Sequence, residues 1–127
     1  MSNNCSRLIL RGSLLLAVIA VLVATTGCGS RTFPTGVYNS TGDNTGLSME
    51  YRADSTVSLT DNTGHEWDRM QYKVSGNQIV FSGGKYCFPS EGTYSWMFDG
   101  KALKFTAVSD NCSDRKGTMV SSDWTKE

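Results

Sequence analysis

Residues 92–105 read Gly-Thr-Tyr-Ser-Trp-Met-Phe-Asp-Gly-Lys-Ala-Leu-Lys-Phe, and this stretch decides the fold class. Its aromatic residues recur at every second position: Tyr94, Trp96 and Phe98. A period of two places side chains on one face of a β-strand. The Asp99–Gly100 pair follows as a turn, because glycine accepts the positive φ that tight hairpins require. Leu103 and Phe105 then resume the alternation, so the stretch predicts a β-hairpin.

The same alternation fills the rest of the chain after residue 35. Apolar residues recur in short runs separated by turn signals, and the runs are Val37–Tyr38, Leu47–Tyr51, Val57–Leu59, Met70–Val74, Ile79–Phe81 and Met119–Trp124. In none of these windows do apolar residues follow the i, i+3, i+4, i+7 spacing of a helix. With the hairpin, the pattern predicts eight strands.

Eight consecutive strands with one apolar face each must either close on themselves or pack as two sheets. Eight is also the strand number at which a closed barrel has room for side chains or one small ligand. We therefore predict an all-β fold, a single small up-and-down antiparallel barrel over residues 36–127. The alternative is a two-sheet β-sandwich.

The N-terminal residues 1–27 have the order of a secretory signal peptide. Arg7 and Arg11 precede the uncharged apolar stretch 14–24, and small residues follow up to Cys28. The apolar core is well short of the roughly 20 residues that a membrane-spanning helix needs. Cleavage and export are predicted; the alternative is an uncleaved anchor helix.

Gly27–Cys28, preceded by small residues, resembles the lipobox of bacterial lipoproteins, although Thr25 stands where that motif usually has leucine. The resemblance implies that Cys28 is lipidated and becomes the mature N-terminus. Residues 28–35 would then be a short tether, whose Gly29, Ser30, Thr32, Pro34 and Thr35 offer nothing to bury. The expected location is the cell envelope, on the periplasmic or extracellular face, with a lipid anchor in the membrane.

The remaining cysteines predict one disulfide. Cys5 lies in the signal peptide and Cys28 is the lipidation candidate, which leaves Cys87 and Cys112 in an exported domain where oxidation is permitted. Joining them would stabilise the fold by roughly 3.5 kcal/mol through loop closure. The alternative is a thiolate metal site, which would need further ligands, and the sequence has neither a CxxC motif nor a histidine pair.

Charge argues against a polyanionic partner. The chain has 12 Lys/Arg and 12 Asp/Glu, and two of the arginines lie in the signal peptide, so the exported part has a formal charge of −2. Without a basic patch, nucleic acid is not an expected partner. The exported domain is expected to be a monomer.

The sequence offers no catalytic constellation, and we expect neither an enzyme nor a cofactor or metal. His65 is the only histidine, with Glu66 and Asp68 nearby, but His-Glu-Trp-Asp-Arg is not a zinc motif and borders a turn. Asp61–Gly64 could suggest calcium, yet it lacks the EF-hand pattern and is typical of a turn. Asp110 and Asp114 are interpreted as polar loop residues.

Three segments resemble short bacterial lipocalin-like proteins. Gly36–Val37–Tyr38 is similar to the Gly-x-Trp that opens the first lipocalin strand, with Tyr38 in place of tryptophan. Residues 92–105 resemble a G-x-Y-x-W…G…L segment, and Asp110–Arg115 resembles a following D-x-C-x-x-R, with Trp124 near the end. The resemblance implies a calycin-type barrel, either enclosing an apolar ligand or packed solid, in which Arg115 packs across Tyr38.

Two functions from different classes follow. The first is a lipid-anchored binding module for a small apolar or amphipathic ligand, with Tyr72, Tyr94 and Trp96 as candidate ligand-binding residues. The second is an inhibitor of a secreted hydrolase (a protease or lysozyme), which would present a cysteine-tethered loop, residues 82–92 or 109–116. A structural envelope module without a ligand is the third reading.

Overall fold

The computed structural model describes residues 31–127, so the predicted signal peptide and Cys28 lie outside the described residues. The elements are β1 Gly36–Gly42, β2 Leu47–Tyr51, β3 Thr56–Asp61, β4 Glu66–Ser75, β5 Gln78–Gly83, β6 Gly92–Phe98, β7 Ala102–Asp110, α1 Ser113–Val120 and β8 Ser122–Lys126.

The eight strands form a closed antiparallel barrel in sequence order, which confirms the predicted fold. Each strand pairs with the next along the chain, and β8 returns to β1 with Tyr38 opposite Lys126 and Gly42 opposite Ser122. Because the ring closes, no strand edge is left unpaired. The sandwich alternative is thereby excluded.

The up-and-down order sorts the connections between two ends. The connections at residues 51–56, 75–78 and 98–102 lie with residues 31–35 at one end, here called the tether end. The connections at 42–47, 61–66, 83–92 and 110–122, the last of which contains α1, lie at the other, here called the far end. Short turns dominate the tether end, whereas the two longest connections belong to the far end.

The barrel interior is filled with side chains. Its fully buried members include five aromatic residues together with aliphatic and methionine side chains, namely Tyr38, Met49, Tyr51, Val57, Ile79, Phe81, Tyr94, Leu103, Met119 and Trp124. The rings meet mostly edge to face, as Tyr94 does with Phe81 and Phe105 at centroid distances of 5.7 and 6.3 Å. Such contacts add to the stabilisation that burial provides, and the barrel is a packed core rather than a hollow carrier.

Phe33 closes the tether end. Although it belongs to the segment predicted as a tether, it is buried and its ring contacts Tyr51, Tyr72 and Trp96 at 5.0, 5.6 and 5.1 Å. The Tyr38 hydroxyl donates to the Pro34 carbonyl at 2.6 Å and holds the same segment. Burial raises the pKa of Tyr38 to about 12. The segment is therefore part of the core.

The prediction that the chain contains only strands is wrong at helix α1. Residues 109–116 were expected to be a loop and Met119 to begin the last strand, but Ser113–Val120 is helical and β8 starts at Ser122. Within α1 only Arg115 and Met119 are buried, four residues apart on one face. A helix of eight residues with two inward-facing side chains has too short a pattern to be recognised in sequence.

Within residues 31–127, no helix has both the length and the apolarity needed to span a bilayer.

Candidate functional site: a cleft at the far end

A small cavity lies beneath α1 at the far end of the barrel. Its volume is about 70 Å³. Three methionines from different elements line it, Met49 on β2, Met70 on β4 and Met119 on α1. Methionine side chains are flexible and polarisable, so such walls adapt to the shape of an apolar group. Part of the barrel mouth is therefore an apolar recess.

The cavity continues outward into an open cleft of about 360 Å³. Leu59, Tyr86 and Asp114 line both spaces, while Leu47 and Trp67 line only the outer one. Trp67 is 43% exposed and Tyr86 53% exposed, so two large aromatic side chains leave much of their surface open to solvent at this cleft. We call the recess and the outer cleft together the far-end cleft.

A turn at the β3–β4 connection positions Trp67. The Asp61 carboxylate accepts hydrogen bonds from the backbone amides of Thr63 and His65 and from the indole nitrogen of Trp67, the last at 3.0 Å. Donation by the Thr63 hydroxyl, followed by these other donors, lowers the pKa of Asp61 to about 2. Asp61 therefore organises the turn, and His65 lies exposed with its ring against Trp67 at 5.1 Å.

A buried ion pair supports the floor of the far end. The Arg115 Nε donates to Asp110 Oδ2 at 2.7 Å and its Nη2 to Oδ1 at 2.9 Å, and the two side chains are 2% and 0% exposed. Arg115 also donates to the Ser90 carbonyl at 3.1 Å, and the Tyr94 hydroxyl donates to Asp110. The pair is bidentate, the strongest geometry for these groups.

The titration of this network follows from its contacts. Burial by itself would raise the pKa of Asp110, but donation by Arg115, Tyr94 and the Cys112 amide holds it below its ordinary value. Burial and then the Asp110 carboxylate raise the pKa of Tyr94. Gly92 makes room for the network, because a Cβ there would lie 2.8 Å from Arg115 Nε and still closer to the Asp110 carboxylate.

The predicted disulfide is present beside the cleft. Cys87 and Cys112 are bonded, with Cα atoms 5.7 Å apart. Cys112 is also the residue that precedes the first turn of α1, so the bond ties the residue 84–91 loop to the helix. The loop is held a second time by the Arg115–Ser90 hydrogen bond. One wall of the cleft is therefore covalently fixed.

Asp68 is the unexpected member of the site. On β4 it takes an inward-facing position in the series Asp68, Met70 and Tyr72, and it is only 9% exposed. Its Oδ1 accepts the backbone amides of Arg69 and Lys85, both at 2.9 Å. A Cβ on Gly84 would come within 2.7 Å of its Oδ2, so the loop passes close to this carboxylate.

None of the three residues proposed from sequence as ligand-binding lines the far-end cleft. Tyr94 is fully buried under the ion pair, and the Tyr72 hydroxyl donates to the Arg52 carbonyl at 2.6 Å. Trp96 packs on Phe33 and also borders a shallow groove of about 250 Å³ on the barrel wall beside Arg31 and Lys104. The Phe33 ring contacts both Tyr72 and Trp96, whereas Tyr94 bonds to Asp110 at the other end of the barrel.

Arg115 does not pack across Tyr38 as the lipocalin resemblance implies. Arg115 bonds Asp110 and Ser90 at the far end, whereas the cation over the Tyr38 ring is Lys126, 6.0 Å from its centroid at the tether end. Among the described residues, no three His, Cys, Asp or Glu side chains are grouped so as to hold a metal ion.

Sequence reasoning missed Asp68, Trp67 and Tyr86 as site residues. Asp68 alone carried a signal, because a carboxylate interrupts the apolar face that Met70 and Tyr72 continue. Such a local violation of pattern is typical of functional positions. Trp67 at the start of β4 and Tyr86 on the β5–β6 connection line the same cleft only because the barrel brings these segments to one end.

Protein-family models, curated proteins and solved structures were compared with the chain, and none of them matches.

Proposed function

We propose that the protein is an exported, lipid-anchored binding module that holds the apolar part of a small molecule in the far-end cleft. The observation that carries the proposal is the methionine-lined recess that opens between α1, the residue 84–91 loop and strands β2–β4. A filled interior leaves this cleft as the natural place for a ligand. The lipocalin resemblance of residues 92–124 supports the same class of function.

The tether supports the proposed anchoring and gives the cleft a direction. Cys28 precedes Arg31 by three positions, which span at most about 10 Å of extended chain. Because Phe33 is fixed in the core, a lipid on Cys28 would hold the tether end against the bilayer. The far-end cleft would then face away from the membrane, toward molecules in the surrounding space.

The residues around the cleft favour binding over catalysis. Cys87 is oxidised in the disulfide, and the Arg115 guanidinium is already bonded to Asp110. No histidine is among the described residues that line the cleft, so a nucleophile activated by histidine is not assembled there.

Trp67 provides a test of ligand binding. Residues 29–127 contain all eight strands, the β1–β8 closure and the disulfide, so we expect this part to fold without the signal peptide. Titration with decyl glucoside, an uncharged alkyl probe, should change the fluorescence of exposed Trp67. The Trp67→Phe variant, which retains buried Trp96 and Trp124, should lose that response.

A matched pair of variants tests whether the ligand binds in the far-end cleft. Thr118→Phe places a ring in the recess and should abolish binding, whereas Thr106→Phe enlarges an exposed side chain on the barrel wall and should leave it unchanged. Equal binding by both variants would contradict the proposed site. Native mass spectrometry of the protein from its own envelope would show whether a small molecule accompanies it.

A second candidate function, inhibition of a secreted hydrolase, is favoured by one observation. Phe88 is 74% exposed, the most exposed large apolar side chain in the described part, and it lies on the loop fixed at Cys87 and Ser90. A rigid loop loses little conformational freedom on binding, so it can present Phe88 to a concave partner.

Inhibition is tested with purified proteases and lysozyme. The wild type should inhibit at least one of them, Phe88→Ala should inhibit it much less, and Met97→Ala, at an exposed apolar residue on β6, should act as the wild type does. Inhibition that survives Phe88→Ala would exclude this loop as the inhibitory element.

A further inference from the structure

We infer that the ligand of the far-end cleft carries a cationic group, as an alkylammonium compound does. This inference rests on the proposed binding function and specifies the class of ligand. It follows from the balance of charge around the recess, which has two carboxylates without a cationic partner.

Asp68 is the first of these carboxylates. It lines the recess and is only 9% exposed. Within residues 31–127 it forms no ion pair. Its two backbone hydrogen bonds both go to Oδ1. In the described chain Oδ2 accepts no hydrogen bond, and it is not among the side-chain atoms fully closed off from solvent, so it stays accessible to a cation that enters the recess.

Asp114 is the second. It lines both the recess and the outer cleft, and it makes no ion pair with the described residues. Its position in the first turn of α1 is favourable for a negative charge. Asp68 and Asp114 therefore face the same space from β4 and from the helix.

The cations near the cleft do not balance this charge. Arg115 lines the recess, but its charge is matched by Asp110 behind it. Lys85 lies at the edge with its ammonium group 4.7 Å from the centroid of the Tyr86 ring. Lys85 is the sequence neighbour of Tyr86, and this distance is one at which an ammonium group and an aromatic face attract each other.

The apolar walls determine the rest of the ligand. Trp67 and Tyr86 offer exposed ring faces on which a cation and an alkyl chain can both pack. The recess of about 70 Å³ accepts only a small group, whereas drug-sized ligands usually occupy sites of about 300–1,000 Å³. A compact cationic head in the recess and a short alkyl chain in the outer cleft fit these dimensions.

The test compares three probes with the same alkyl chain, each below its critical micelle concentration. Decyltrimethylammonium is cationic, decyl glucoside is uncharged and decanoate is anionic. Binding to residues 29–127 is followed by Trp67 fluorescence and by calorimetry. We expect decyltrimethylammonium to bind about tenfold more tightly than decyl glucoside, and decanoate to bind most weakly.

Variants at the carboxylates separate charge recognition from folding. Asp68→Asn retains an oxygen for the two backbone amides, and it should lower the affinity for decyltrimethylammonium about tenfold. Exposed Asp114→Asn should lower it about threefold. Both variants should lower the affinity for decyl glucoside much less than the affinity for decyltrimethylammonium, whereas a merely structural role would weaken the binding of both probes equally. Lys85→Gln should strengthen binding of the cationic probe.

The outcomes are distinct. Equal affinity for the three probes, a preference for decanoate, or no selective effect of Asp68→Asn and Asp114→Asn would overturn the cationic class while leaving the binding function intact. Failure of all three probes to bind would overturn both proposals.

Discussion

The two ends of the barrel are closed by different chemistry. At the tether end the Phe33 ring packs against three other aromatic rings and fills the opening. At the far end a buried ion pair, a disulfide and the short helix α1 form the closure, and a recess remains beneath the helix. The Phe33 ring closes its end by packing alone. The ion pair and the disulfide require fixed distances and angles, so the groups that form them do not move into the recess.

This difference explains where a site can form. Apolar side chains at the tether end adjust until voids disappear, as in any packed core. At the far end Arg115 must stay in bidentate contact with Asp110, and the residue 84–91 loop must meet α1 through the disulfide. Trp67 and Tyr86 remain exposed beside this framework.

The largest expected effect comes from breaking the ion pair. Arg115→Ala leaves the fully buried Asp110 carboxylate without its partner and should lower the free energy of unfolding by about 3–5 kcal/mol. Urea denaturation measures it. Arg69→Ala is the control, since Arg69 pairs with Glu66 at the exposed surface and should cost under about 1 kcal/mol. Similar losses for the two variants would show that the far end does not depend on this pair.

Removing the disulfide should have the next largest effect. The double variant Cys87→Ala, Cys112→Ala should lose roughly 3.5 kcal/mol, because the open loop gains freedom in the unfolded chain. The reduced wild type should show the same denaturation midpoint as this double variant. Binding in the far-end cleft should weaken as well, since one wall is no longer fixed. Unchanged stability would contradict a structural role for this bond.

At the tether end, Phe33→Ala should cost about 2 kcal/mol, below the usual range for a core phenylalanine because the terminal segment can leave the barrel. Binding of decyl glucoside at the far end should not change. A variant that loses both stability and binding would show that the two ends are coupled rather than independent.

Acid should act on the far end through Asp110. Its pKa is lower in the folded protein than in the unfolded chain, so its contribution is present above about pH 4 and is lost as the pH falls through the folded value. Urea midpoints measured from neutral pH down to pH 2 should therefore fall more steeply in the wild type than in Asp110→Asn. Parallel curves would exclude this linkage. Other carboxylates with lowered pKa, such as Asp61, contribute equally to both proteins.

Much of the barrel could be predicted from local patterns. Each strand shows its own alternation, and neighbouring strands pair through short turns, so Tyr94, Trp96 and Leu103 were assigned to strands from sequence alone. The disulfide followed from the number of cysteines left in the exported domain. These features depend on residues close in sequence or on simple counting.

The candidate site could be predicted much less well. Tyr72, Tyr94 and Trp96 were proposed as aromatic residues on the alternating apolar positions, and the structure places Tyr94 and Trp96 in the packed interior and Tyr72 half-buried against it. The far-end cleft instead combines β2, β3, β4, the residue 84–91 loop and α1, which are distant in sequence. No local pattern reports which connections of a barrel become neighbours.

The sequence by itself determined that the chain alternates as strands, that it turns at Asp99–Gly100 and similar sites, and that Cys87 and Cys112 are available to pair. Those properties follow from local backbone preferences and from the side chains present. Tertiary structure alone decided that Phe33 enters the core, that residues 113–120 become helical over the barrel mouth, and that Asp68 faces the recess. These outcomes depend on the space left after the ring closes, and a long-range packing constraint of that kind is not encoded in any short segment.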